Sequence, residues 1–426
     1  MTARRNLSPI QRRHVPLWLV TIGLAAVCAL SPAAAVPATL QAPPPPYSPP
    51  FTPTSDSQVL QQVPPASDPK VRDMRMLRAR LDATPTDAET AHRLADAYVD
   101  FGRQLGDAHY AGYAEAVITP WLAQPQPPAR TLVLYATILQ YRHQFDQARA
   151  VLKKAIARDP KNEQAWLTLA TLDMVQGDYA AAAHNCAQVM GAGDYSLGIA
   201  CGANLRTYIG QAQQSITTLS VLAGNTPHLS PSLKAWMEGL MAEGSERLGR
   251  WPEAEAHYGN ALAQTPEDNF LLVAYADFLL DRGRPKEVLP LLADHTQSDT
   301  AFLRIVLAQA ALGSLDLARY VWTMSARFEA LRQRGSEYFG REEVRFALDF
   351  EHDPKAALAL AQANWKVQRE PWDTRVFLQA ALAARQPQAA IAVLDFVQRS
   401  KLQDPVIDDL ARQLRGSLAQ PAGATR

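Results

Sequence analysis

ARTLVLYATILQYRHQFDQARAVLKKAIARDPKN, residues 129–162, is followed directly by EQAWLTLATLDMVQGDYAAAAHNCAQVMGAGDYS, residues 163–196, and the second overlays the first with a shift of 34 residues. Tyr135, Ala136, Phe145, Ala148 and Leu152 fall on Leu169, Ala170, Tyr179, Ala182 and Cys186, and Pro160 closes the first unit. The coinciding residues have the sizes that a packed helical hairpin requires. Alanine stands where two helices approach most closely and only a small side chain fits. An aromatic opens the second helix and plugs the space beside the turn. Gly177 sits at the turn, where a positive φ is useful, and proline ends the second helix. The ladder returns as Met241, Ala242, Gly249, Trp251, Ala254, Tyr258, Ala261 and Pro266, and more loosely as Tyr275, Ala276, Gly283, Pro285, Val288 and Leu292.

This register resembles the tetratricopeptide repeat, in which two antiparallel helices per repeat stack into a superhelix. The resemblance implies an all-α solenoid of about eight helical hairpins with a C-terminal capping helix, over residues 67–420. The best repeats are 129–162, 163–196, 235–268 and 269–302. Upstream, Ser67-Asp68-Pro69 reads as a helix start, and Leu94, Ala95, Tyr98 and Gly102 match a first repeat with Gly102 in the turn position. An insertion falls between Gly106 and Pro128. Between Ala170 and Ala242 lie 72 residues, so a degenerate repeat with Gly210 at its turn fills the gap. Beyond residue 300 the period shortens. A long helix from Leu315 to Arg334 is expected, then hairpins over Glu342–Asn364 and Thr374–Val397. Asp404-Pro405 starts the cap, with Asp408, Asp409, Arg412 and Arg415 on its polar side.

The ends carry different signals. Arg4, Arg5, Arg12 and Arg13, the apolar run Leu17–Leu30 and Ala33-Ala34-Ala35 read as an export signal over residues 1–35, which places the protein in the periplasm. Membrane contact is expected only through a leader kept as an anchor. Residues 36–66 are rich in proline and read as a disordered linker, and residues 421–426 as a disordered tail. The chain has 42 basic and 42 acidic residues; residues 1–35 hold four arginines and no acid, so the remainder has 38 against 42. That balance disfavours nucleic acid as a partner. Beyond the leader only Cys186 and Cys201 remain, on the second helix of one repeat and the first helix of the next. Either they form a disulfide, stabilising by ~3 kcal/mol on the chain-entropy model, or they are two buried small hydrophobes.

No zinc, phosphate-loop, nucleophile-elbow or Cys-x-x-Cys motif is present, so no catalytic, cofactor-binding or metal-ligating residue is assigned and no enzyme activity is expected. In tetratricopeptide-repeat proteins, side chains at fixed positions of the first helices line a concave groove that receives a partner. Here those positions imply an apolar centre of Tyr141, Leu167, Met174, Tyr208 and Trp236. Acidic flanks follow from Glu243, Glu246, Asp277 and Asp281, with Glu89, Asp96 and Asp100 near the start, joined in the register that starts at Tyr338 by Glu342 and Asp349. Arg130, Arg247 and Arg375 are the few basic residues in register. The resemblance therefore implies a non-enzymatic exported scaffold that binds another envelope protein, through a peptide carrying basic residues. Two alternatives stand beside it. One is a glycan-active helical toroid using Glu243, Glu246 and Asp277 beside Trp236; the other is a self-associating component of a secretion or polysaccharide-export assembly.

Overall fold

The computed structural model describes Ser55 and residues 67–107, 109–333 and 340–419. The expected leader, the proline-rich stretch apart from Ser55, Tyr338 and the tail lie outside the described residues. Among the described residues there is no strand. Helix α1 (Pro69–Ala83) leads into antiparallel pairs: α2 (Ala88–Leu105) with α3 (His109–Leu122), α4 (Ala129–Tyr141) with α5 (Phe145–Arg158), and α6 (Glu163–Gln176) with α7 (Tyr179–Ala192). Next come α8 (Tyr195–Tyr208) with α9 (Ala212–Asn225), α10 (Pro231–Arg247) with α11 (Trp251–Gln264), and α12 (Asn269–Asp281) with α13 (Pro285–Leu291). Last are α14 (Asp299–Ala311) with α15 (Leu317–Gln333), α16 (Gly340–Phe346) with α17 (Pro354–Trp365), and α18 (Pro371–Ala383) with α19 (Ile391–Ser400), followed by α20 (Pro405–Ala419).

The local chemistry of these boundaries is readable. Asn162, Asp178 and Asp194 each accept a backbone N–H of the first turn of α6, α7 and α8, satisfying donors that a helix start leaves unpaired. The aromatics that open the second helices, Phe145, Tyr179 and Trp251, are the first residues of α5, α7 and α11. Ala136, Ala148 and Leu152 are wholly buried between α4, α5 and α6, and a buried leucine contributes about 1.5–3 kcal/mol. The final helix seals the stack. Ile407, Leu410 and Leu414 are buried while Asp408, Asp409, Arg412 and Arg415 face solvent.

One local expectation is corrected, and two later elements depart from regular helix geometry. Gly102 is not a turn residue but lies buried inside α2, because the helix runs one more turn to Leu105 and Gly106 takes the left-handed conformation at φ 65°. The bare Cα of Gly102 instead lets Tyr110 of α3 pack close. Helix α13 is only seven residues long and contains Pro290, which removes an interior hydrogen bond. After α16 the backbone widens into a π turn over Ala347–Glu351 before His352 ends it at φ 52°.

The hairpins coil until late ones meet early ones. Gln368 donates its amide to His143 Nδ1 at 2.7 Å, at the turn after α4. The Arg369 N–H donates to the Val175 carbonyl at 2.7 Å, and its guanidinium donates to the Gln176 carbonyl at 3.3 Å, at the end of α6. Two turn glycines make this approach feasible. A Cβ on Gly177 (φ 77°) would stand 2.9 Å from the Phe396 ring, and one on Gly210 (φ 73°) would stand 2.3 Å from the Lys401 carbonyl oxygen. Where Gly177 stands in one repeat, His143 stands in the preceding one, itself at φ 57°.

Candidate partner surface

The expected apolar centre of the groove divides in two. Leu167 and Met174 of α6, Tyr208 of α8 and Trp236 of α10 join one apolar cluster with Cys186 and Cys201. Tyr141 belongs elsewhere, against α2 and α3, where burial, aided by Asp107, pushes its phenol up to about 12. Cys186 and Cys201 are bonded to each other, with Cα atoms 5.4 Å apart, joining α7 to α8 beneath that cluster. Tyr208 stacks on Tyr179 with ring centroids 6.1 Å apart, and the Arg247 guanidinium lies 5.2 Å from the Tyr208 ring centre. Leu167 and Trp236 stay half-buried, toward the N-terminal halves of their helices. The C-terminal end of α6 is the part that meets Arg369.

The acidic flank is occupied from within the chain. Asp277, 3% exposed, accepts from Arg304 Nη2 at 2.7 Å and from Arg345 Nη1 at 2.5 Å. Burial works against its charge, but the two guanidiniums outweigh it and hold the carboxyl at about 2. Arg304 also donates to Glu342 at 3.2 Å, whose pKa is lowered by Arg341 and Arg304 against the opposing effect of burial. Asp281 receives both terminal nitrogens of Arg375, at 2.5 and 2.7 Å. Trp372 lies beside the two arginines that reach α12, its ring centre 5.3 Å from the Arg345 guanidinium and 4.3 Å from that of Arg375. Nearer the start, Glu89 and Asp96 both bind Arg130. A charge paired in this way exerts little attraction on a partner.

Sequence reading missed Arg304, Arg341 and Arg345. Arg304 comes 27 residues after Asp277, off the repeat period, so groove register alone does not find it. A buried cation is expected beside a buried acid, and that rule would have prompted a search for one. As for chemistry, both oxygens of Asp277 are held by arginines, so it has no lone pair placed to act as a base in the glycan-active alternative. Among the described residues no group of three His, Cys, Asp or Glu side chains could hold a metal ion, and no helix is long and apolar enough to cross a membrane.

Glu246 differs from its neighbours. It accepts the Tyr258 hydroxyl at 2.5 Å, and burial, with Glu243 and Asp281 close by, pushes it up to about 8 against the pull of Arg247. A carboxyl raised in the folded state contributes most below its unfolded pKa, and that contribution is lost as pH rises through the folded value. Stability should therefore decline between about pH 4.5 and 8. Glu246→Gln, which keeps an acceptor for Tyr258, should flatten this decline and gain on the order of 1–3 kcal/mol at pH 8. Urea midpoints measured at several pH values check it; parallel curves for both proteins would refute it.

Away from the first-helix face, a cleft of about 450 Å3 opens between α5, α6 and α7, with Lys153, Ile156 and Trp166 on its walls and Asp173 at its floor. Asp173 is bound there by Arg149 and by the Asn185 amide at 2.6 Å.

A family model described as tetratricopeptide repeat matches residues 139–190. No curated protein matches the chain. Among solved structures it is similar to PilW, a type IV pilus biogenesis factor, at 15% identity and TM-score 0.32, covering 66% of this chain and 97% of that one. A tetratricopeptide repeat protein from Parabacteroides merdae is 12% identical at TM-score 0.30, covering 77% and 98%. Yeast Tom70 is 10% identical at TM-score 0.38, covering 82% and 85%.

Proposed function

Taking this chain as a tetratricopeptide-repeat protein, and so as a scaffold for protein–protein interaction, we propose that it is exported and binds a segment of another cell-envelope protein on its first-helix face. The observation that carries this reading is the gathering of Leu167, Met174, Tyr208 and Trp236 into one apolar cluster over the Cys186–Cys201 bond. Half-buried Leu167 and Trp236 offer an anchor for an aromatic or aliphatic side chain of an extended or helical segment. Asp277, Asp281 and Glu342 of the flank are bound to arginines and Glu246 to the Tyr258 hydroxyl, so apolar contact rather than charge supplies the affinity. Export is supported by the basic and apolar leader and by a bonded cysteine pair, since disulfides persist in oxidising compartments.

Two measurements test it. Alkylation of thiols in intact cells, followed by mass spectrometry, should find Cys186 and Cys201 blocked and the N-terminus at about Val36; reduced thiols on a chain that keeps its leader would sink the export reading. Affinity capture from the envelope, with the chain from Val36 as bait, should enrich one protein whose recovery drops about tenfold with Trp236→Ala while helicity is kept. Equal recovery with both baits would remove this face from the argument.

A further inference from the structure

The contacts between early and late hairpins form a seam, and the seam differs in kind from the packing within each part. Residues of α16 to α20 build an apolar cluster of their own, from Val344 to Leu414. The cluster around the disulfide is separate, as is that of α4, α5 and α6, which takes only half-buried Val367 from the late part. What joins the two sides is polar or peripheral. It comprises the Gln368 bond to His143, the two Arg369 bonds to α6 carbonyls, the Lys401 carbonyl against Gly210, and Phe396 beside Gly177 with its ring 5.9 Å from that of Tyr179. Across the coil, Arg345 and Arg375 reach Asp277 and Asp281 of α12.

Side chains near the seam are incompletely satisfied. The Tyr179 hydroxyl is buried without a hydrogen-bond partner among the described residues. Glu243, Arg341 and Glu370 keep 22%, 28% and 24% of their side-chain surface open to solvent. Their pairings are long, 3.5 Å from Arg247 to Glu243 and 3.3 Å from Arg341 to Glu370. Separating the two bodies leaves the cluster of α16 to α20 sealed and exposes apolar surface at Val367, Phe396 and Tyr179, while an unpaired buried hydroxyl gains a partner when water reaches it.

We propose that this seam parts as a unit, with the hairpins intact, and that the late hairpins act as a cover over the C-terminal ends of α4, α6 and α8. Parting uncovers Tyr179, which packs against Phe396, and so extends the open part of the apolar cluster beyond Leu167 and Trp236. The opening is a property of the chain alone, and its test needs no partner.

The Arg369 amide reports it directly, because its hydrogen bond to the Val175 carbonyl crosses the seam. In native-state hydrogen exchange the Arg369 amide should exchange at least about tenfold faster than interior amides of α6 and α18. Joining His143→Cys to Gln368→Cys with a short bis-maleimide should slow it to the rate of those helices. If Arg369 in the unmodified protein exchanges no faster than the interior of α6 and α18, the seam opens only with global unfolding and the proposal fails. If it exchanges fast but the crosslink does not slow it, local fraying of the α17–α18 loop accounts for the rate and the proposal fails equally.

Discussion

Replacing Arg304 by alanine is expected to cost about 3–5 kcal/mol at pH 7, the usual loss when one partner of a buried ion pair is removed. Arg304 is 4% exposed and donates to both Asp277 and Glu342, so the variant keeps two buried carboxylates with only Arg345 and Arg341 to hold them. The pH dependence carries a sign that separates this cause from simple loss of packing. In the native protein Asp277 is depressed to about 2, so its contribution is present above the unfolded value and is lost only as pH falls through the folded one. Without Arg304 the Asp277 carboxyl rises toward or above its ordinary range, and protonation then relieves the variant. The stability gap should accordingly narrow as pH is lowered from 7 to about 4.5. Urea unfolding followed by circular dichroism at both pH values measures it. A loss at pH 7 below about 1 kcal/mol would show that this cluster is solvated rather than buried.

Removing the bond between Cys186 and Cys201 is the second large effect. The bridge closes a separation of 15 residues, for which the chain-entropy model gives ~3 kcal/mol. The paired variant Cys186→Ala and Cys201→Ala should lose about that amount, and wild type unfolded under reducing conditions should lose nearly the same. Agreement between the two would place the effect in the crosslink rather than in the small volume removed at two buried sites. Should the reduced and oxidised wild-type proteins share one urea midpoint, the bridge contributes nothing and the pair acts as two small hydrophobes. Because the bond ties α7 to α8 within the cluster of Leu167, Tyr208 and Trp236, its loss should, on the proposed function, also weaken capture of a partner by that face.

The hairpins are legible in the sequence. Alanines at the closest helix crossings, glycines such as Gly177 at left-handed turns, and the aromatics Phe145, Tyr179 and Trp251 that open α5, α7 and α11 act through sterics within a few residues, so a 34-residue period writes them plainly. It also brought Cys186 and Cys201 within one hairpin of each other, and left open whether they bond. Gly102 misled because a glycine in turn register can equally serve close packing inside a helix, and only the position of Tyr110 distinguishes the two.

The tertiary structure alone decided what became of the groove charges. Each hairpin adds a small rotation to the stack, and after several of them residues far apart in sequence face one another. Arg345 reaches Asp277 across 68 residues and Arg375 reaches Asp281 across 94, while Arg369 meets Val175 at the seam. No local pattern records that accumulated rotation, so acids that look available in the repeat register are bound by arginines that the register does not relate to them.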